Sequence, residues 1–381
     1  MGNECWGYSF ASPLDLKRVR YQNFSLQGQP RDELISLEQI FIECRIHASS
    51  RVGLIGFKYF ESNHLKNYQN KTDIPAYIAD ELYEVVDRVN VVNYTAAMTH
   101  PTEGLRMVIR SAKEIAFYEY VSNKTSNAVI NILKELTPGI NELEASRNAC
   151  YDASPISMFP IVNFGEEHVK LGLRSPDHRT LQDGDMITVC YGLRGSLVAR
   201  SGFAATGPSA LPDEYGDVVE HFYKPYYQAL VAWYETLRVG NLYGDSHEKV
   251  YSIIGDKDRF GLFLNVGHLI SSDEWPNSPV YAGSEIPMLS GHYLQCDIIA
   301  CSDYPFKQAI LEDGLILADD SLRTALQREY PDVFARIQKR RRFMIDTLGI
   351  NVHEDVLPLS NGQAVMHPYM LDLNTLFSIK E

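Results

Sequence analysis

Positive charge is scarce in this 381-residue sequence: 35 Lys and Arg stand against 49 Asp and Glu, a formal net charge of −14. Holding a phosphate backbone takes clustered cations, so this balance argues against nucleic acid as a partner. The six cysteines (Cys5, Cys44, Cys150, Cys190, Cys296 and Cys301) include no C-x-x-C pair. They point to neither a zinc ribbon nor a disulfide framework, and reduced thiols of a cytoplasmic protein are expected. Long apolar runs are also missing. None approaches the roughly 20 residues that cross a bilayer, and MGNECWGYSF lacks the basic-then-apolar order of an export signal. No membrane association is expected. What is present is a 45% apolar, 11% aromatic composition. That is enough to bury a core and too much for a disordered chain.

Residues 51–60, RVGLIGFKYF, predict a strand after a helix over 34–48, and a second helix over 78–86 leads into the β-rich VNVVNYT. Alternation of this kind predicts a small α/β domain ending near THPTEGLR, with its boundary at residue 106. Ser111-Ala112-Lys113-Glu114 is a capping box, because the Ser hydroxyl can accept from the Glu114 amide while the Glu reaches back. The helix it opens carries Ile115, Tyr118, Val121, Val129, Ile132, Leu133 and Leu136 at helical spacing and stops before Pro138-Gly139. A β-rich region follows from 159 to 207, and Val219 through Leu237 mark a long amphipathic helix. Strands are expected again at 263–266, 293–301 and 308–318, then a helix over 323–348, with 350–381 as an irregular tail. The run Lys339-Arg340-Arg341-Arg342 is explained by solvent and the helix C-terminal dipole.

In this order the chain resembles the creatinase, prolidase and aminopeptidase P family. Gly104 through Ile115 (GLRMVIRSAKEI) is similar to the family's domain junction, and Leu136-Thr137-Pro138-Gly139-Ile140 to the end of the first helix beyond it. Leu181-Gln182-Asp183-Gly184-Asp185 resembles the L-x-x-G-D turn before the first metal-bearing strand. Val266-Gly267-His268 resembles the G-H turn, and Ile310 through Leu317 (ILEDGLIL) the last carboxylate strand. The resemblance implies an α/β (α+β) architecture: a shortened creatinase-like domain over 1–106 and a pita-bread domain over 107–349. It also implies a C–N bond hydrolase and, by analogy, a homodimer.

The family's metal-dependent members hold two divalent ions with two Asp, one His and two Glu. Here Cys190 stands at the first Asp position, and Cys190–Gly207 contains no acidic residue to serve as the second. A two-ion site of the usual kind is therefore not expected. Among the family positions, His268 and Glu312 match and Asp297 lies near the other Glu. The expectation is no cofactor, or a single divalent ion on these three. The chain also departs from creatinase, whose proton-moving histidine has no equivalent directly before Pro176, although His168 and His178 lie nearby.

His268 is expected to act as general acid and base, oriented by Asp297 and Glu312. Glu274 persists from an H-E-x-P motif whose histidine is here Asp273, and a carboxyl in an enclosed pocket can exchange protons. Cys190 is a candidate nucleophile if a neighbouring cation lowers its pKa, against the commoner fate of a buried small hydrophobe. Arg174, Arg200, His178 and Asp273 are candidate substrate-binding residues, with Arg174 or Arg200 gripping an anionic group where cations sat in relatives. Two functions remain open. One is a metal-independent or mononuclear hydrolase or lyase acting on a C–N bond of a small amino-acid-derived or peptide-like substrate. The other is a non-catalytic protein binding a peptide or protein partner through the same cavity. A conventional Xaa-Pro peptidase with two ions ranks third.

Overall fold

The computed structural model describes every residue except Ser62, His64 and Glu381. It divides into two compact units, Met1–Met98 and Thr99–Glu381. The boundary thus lies ahead of the expected residue 106, and residues 350–381 belong to the second unit.

The first unit holds the helices Leu37–Glu43 and Ala76–Tyr83 and two short parallel strands, β1 (Val52–Leu54) and β2 (Val91–Asn93). Leu82, Val86 and Val91 form its small core. The predicted ten-residue strand is cut to three at Gly56. There the Asp73 carboxylate occupies the space a side chain would need and accepts from the amides of Phe57 and Lys58, both at 2.9 Å. A chain drawn into a turn around a carboxylate cannot also continue a ladder.

The second unit opens with the helix Ala112–Lys134, capped as its sequence predicts. Ser111 Oγ accepts from the Glu114 amide at 3.3 Å and donates to Glu114 Oε2 at 2.8 Å. A five-stranded antiparallel sheet follows, with β3 (Ile156–Phe164), β4 (Met186–Leu193), β5 (Ser196–Phe203), β8 (Ile299–Asp303) and β9 (Phe306–Glu312) in the order β3-β4-β5-β9-β8. A four-stranded antiparallel sheet runs β11-β10-β7-β6, from β6 (His268–Leu269), β7 (Tyr293–Gln295), β10 (Gly314–Leu317) and β11 (Val356–Pro358). β9 and β10 are separated only by Asp313, so one nearly continuous strand passes from the first sheet into the second. Gly314 permits the crossing: a Cβ there would meet the Tyr293 ring and Gln295 Oε1 at 2.8 Å.

Both faces of the five-stranded sheet are used. Ile187, Val189, Tyr191 and Val198 pack against Val121, Val129, Ile132 and Leu133 of the helix Ala112–Lys134. Their neighbours Thr188, Cys190, Leu197 and Ala199 point the other way, as the period of two requires. The aromatic helix Lys224–Thr236 lies in the largest core cluster, with Tyr226, Tyr227, Trp233 and Tyr234 buried.

Four sequence expectations are corrected. Residues 263–266 form no strand, and pairing starts instead at His268. The tail contributes β11 to a sheet, and Arg341 is buried beneath it with Nη1 donating to the Val356 carbonyl at 2.8 Å. Arg340 donates to Glu119 Oε1 at 2.9 Å, so the basic run is partly a core element and not a solvated one. The expected single helix over 323–348 is two helices, Asp320–Glu329 and Pro331–Asp346, because Pro331 lacks the N–H that would continue the first.

The two sheets are tied by one buried ion pair. Arg200 Nη2 on β5 donates to Asp313 Oδ1 at 3.0 Å and Oδ2 at 2.9 Å, while Nη1 donates to the Glu312 carbonyl at 3.0 Å. Asp313 also accepts from the Ala364 amide at 3.0 Å, which binds the C-terminal segment to the same point. Removing one member of such a pair leaves the other charge stranded. Asp313→Asn is expected to lower unfolding free energy by about 3–5 kcal/mol in urea titrations. A loss below about 1 kcal/mol, the range of exposed pairs, would show that the pair does not hold the sheets together.

Candidate functional site

The face of the five-stranded sheet turned away from the helix Ala112–Lys134 is the floor of a cavity of about 820 Å³. Its size is within the range of small-molecule sites. Registers set the floor side chains in rows. Cys190 pairs with Ala199, and Ala199 pairs with Glu312, so the three lie side by side across β4, β5 and β9. Gln308, Ile310 and Glu312 alternate along β9 into the same space. His268 enters from β6 and Asp297 from the segment joining β7 to β8.

His268, Asp297 and Glu312 converge. Their ligand atoms lie within 4.8 Å of one another, and each residue is buried. His268 Nδ1 is 3.1 Å from the Leu269 carbonyl, which can only accept, so Nδ1 carries the ring proton of the neutral imidazole. Nε2 then offers a bare lone pair. It stands 3.4 Å from Glu312 Oε1 and 3.9 Å from Asp297 Oδ2. These separations are long for hydrogen bonds. Among the described residues, His268 Nε2, Asp297 Oδ1 and Glu312 Oε1 have no hydrogen-bond partner.

Glu274 is buried beside this group. Its Oε1 accepts from Ser157 Oγ at 3.1 Å, and its Oε2 has no partner. Burial is the main reason that the carboxyls titrate late. It pushes Glu274 up to about 8, with His268 opposing and Glu312 adding to the rise. Asp297 is pushed up to about 7 by burial and by Glu312, and Glu312 up to about 8 by burial and by Asp313.

These residues fit one cation. Three unpartnered donors, one imidazole nitrogen and two carboxylate oxygens, face one point, and divalent ions take this donor set. β4 and β5 carry no acidic residue and so offer no carboxylate to a second ion. The other grouping of this kind, Glu142, His168 and Asp177, is already satisfied internally. Glu142 accepts from the Phe164 and Asp177 amides at 2.8 and 2.9 Å, from His168 at 2.7 Å and from Arg174 at 3.2 Å.

The remaining sequence candidates are placed as follows. Cys190 does line the cavity, but its thiol is pushed well above its ordinary pKa by burial and then by Glu312, Glu274 and Asp297. Among the described residues no Lys or Arg lines the cavity to counteract them, so these surroundings disfavour the thiolate that a nucleophile needs. Arg174 is committed to Glu142 and Asp177, and Arg200 to Asp313, both outside the cavity lining. His178 is exposed on its loop, and Asp273 pairs with Arg106. The expected grip on an anionic group is therefore not formed by these arginines. Sequence reasoning missed Gln308 and Ser157. The first had a signal, since it lies four residues before Glu312 on an alternating strand; the second had none, being brought to Glu274 only by tertiary folding.

Protons bound in the folded state but not in the unfolded one give a definite pH trend. Carboxyls with raised folded pKa values stabilise fully below the unfolded value near 4 and lose that contribution as pH rises through about 7 to 8. The chelator-treated protein is expected to resist urea better at pH 5.5 than at pH 8.5, and Glu312→Gln to show a smaller fall. Equal slopes for the two proteins would mean that Glu312 is solvated. Cys190 is further expected to resist iodoacetamide at pH 7 while exposed Cys5, Cys44 and Cys150 react. Peptide mapping reads this, and rapid labelling of Cys190 would restore it as a nucleophile.

No protein-family model matches the sequence, and no curated protein does. Solved structures do. A Xaa-Pro dipeptidase from Bacillus anthracis superimposes with a TM-score of 0.59 at 15% identity, covering 84% of this chain and 81% of that one. A prolidase from Pyrococcus furiosus gives 0.60 at 14% identity over 84% and 83% of the two chains. The Pyrococcus horikoshii OT3 prolidase gives 0.57 at 15% identity over 75% and 76%. Likeness at this level of identity concerns the fold: a small α/β unit and a pita-bread unit, in the order read from the sequence.

Proposed function

We propose that the chain is a hydrolase that cleaves a C–N bond of a small amino-acid-derived or peptide-like substrate, with one divalent ion held by His268, Asp297 and Glu312. The observation that carries this reading is the convergence of three buried, unpartnered donor atoms in one cavity. Uncompensated buried carboxylates are costly, and a cation among them removes the cost. The names of the solved neighbours, Xaa-Pro dipeptidase and prolidase, support the same bond type.

When bound, the ion supplies Lewis acidity and lowers the pKa of a water molecule toward neutrality. The chain's own groups do the rest. The Leu269 carbonyl holds His268 in the tautomer that presents Nε2. Burial raises the pKa of Glu274, Ser157 positions it, and its bare Oε2 can hand a proton to the departing nitrogen. Amide and water together give a carboxylic acid and an amine, and Glu274 recovers its proton from the water consumed. Apolar walls exclude bulk water and strengthen every charge interaction on the floor.

One observation favours a second reading, a binding protein without turnover: β4 and β5 have lost every acidic side chain on the floor, leaving Cys190 and Ala199. Elemental analysis of protein purified without chelator separates the cases. About one ion per chain is expected, absent in His268→Ala. Glu274→Gln is expected to cut kcat on a cleaved amide by roughly 100-fold or more with little change in KM. Two ions per chain, or undiminished turnover in His268→Ala, would overturn the proposal.

A further inference from the structure

The cavity has a feature that the metal-binding trio does not explain. No Lys or Arg lines it among the described residues, and the nearby cations are spent elsewhere: Arg200 on Asp313, and Arg106 and Arg194 on Asp273. A ligand carrying a carboxylate would therefore find no side-chain cation, and the charge of the ion is already balanced by Asp297 and Glu312. A ligand carrying an ammonium would compete for the same oxygens as the ion. The rim is apolar and outward-facing, with Leu171 and Leu173 on one loop and Phe263, Leu264 and Trp275 on others. Five large apolar side chains around one opening leave little surface for a charged group to approach.

The floor supplies one oriented polar group. Gln308 Oε1 accepts from Thr188 Oγ1 at 2.8 Å and from Ser201 Oγ at 3.1 Å. Both lone pairs of that oxygen are thereby used, with Oε1 turned toward Thr188 and Ser201. Its Nε2, with two N–H groups, donates to no group among the described residues and belongs to a side chain lining the cavity. A fixed donor in an apolar, water-poor pocket discriminates strongly for an acceptor, because either partner left alone is buried unsatisfied. We infer that the cavity selects an uncharged amide with apolar groups on both sides of its C–N bond, and that Gln308 positions it by donating to a carbonyl oxygen. The inference deepens the hydrolase reading above, naming the substrate class of the same site, and its binding half can be tested without turnover.

Three compounds of similar size serve as probes at pH 7: N-octanoyl-leucinamide (neutral), N-octanoyl-leucine (a carboxylate) and leucine N-octylamide (an ammonium). Isothermal titration of the ion-loaded protein is expected to show the neutral compound binding at least about tenfold tighter than either charged one. Gln308→Glu still accepts from Thr188 and Ser201 but turns the donor into an acceptor, and it is expected to weaken the neutral compound about tenfold or more. Gln308→Met, with circular dichroism melting as a folding control, is expected to weaken it to a similar degree. Leu173→Arg, at the rim, is expected to improve binding of the carboxylate selectively. Equal or tighter binding of either charged compound, no binding of any, or unchanged affinity in Gln308→Glu would overturn the inference. Cleavage is scored separately. Tight neutral binding without cleavage sinks the hydrolase and leaves the selectivity standing, whereas cleavage of a charged compound alone does the reverse.

Discussion

The buried Arg200–Asp313 pair divides the charge of this molecule. Strand alternation sends adjacent residues to opposite faces, so Arg200 and Asp313 lie on one side of β5 and the β9–β10 passage while Ala199 and Glu312 lie on the other. The one cation close enough to neutralise Glu312 is thereby held across the sheet by a bidentate carboxylate. Asp313 in turn anchors the C-terminal segment through the Ala364 amide. The pair therefore joins the sheets, docks the tail and leaves Arg200 only partly opposing the rise that burial and Asp313 cause in Glu312.

Buried carboxylates elsewhere in the chain show how different the cavity is. Glu119 is bound by Arg336 and Arg340, and Glu142 by Arg174, His168 and two backbone amides. These acids are satisfied by hydrogen bonds in every direction that matters and act as structural hubs. Glu274, Asp297 and Glu312 each keep a bare oxygen. Burial of both kinds is complete or nearly so, so the distinction lies in partners. An acid with a fixed partner stabilises a fold, and an acid without one is available for a proton, an ion or a ligand.

Rigidity of the floor follows from its place in the middle of a sheet packed on both faces. The helix Ala112–Lys134 covers one side, and the cavity lining uses residues at fixed registers on all five strands of the sheet. Strands thus hold the polar side chains of the floor, and loops carry the exposed apolar side chains around it.

The sequence alone determined the broad fold and the order of its parts. The capping box at Ser111, the helix it opens, and the strands around Cys190, Arg200 and Glu312 follow from local periodicity and local hydrogen bonding, which neighbours along the chain decide. It also singled out His268, Asp297 and Glu312 as candidates and showed no acidic residue in Cys190–Gly207. Only the tertiary structure decided what the charged residues do. Arg174, Arg200 and Asp273 are equally plausible as ligands of a substrate or of each other until distance settles it, because a guanidinium pairs with whichever carboxylate folding brings within about 3 Å. Cys190 lies on the cavity wall, where burial and three acids raise its thiol pKa, a setting that distance along the chain does not show. Gln308 becomes a directed donor because Thr188 and Ser201, 120 and 107 residues away in the chain, occupy its oxygen. Pattern along a chain reports which face a side chain takes, while its chemistry depends on partners that only the folded molecule assembles.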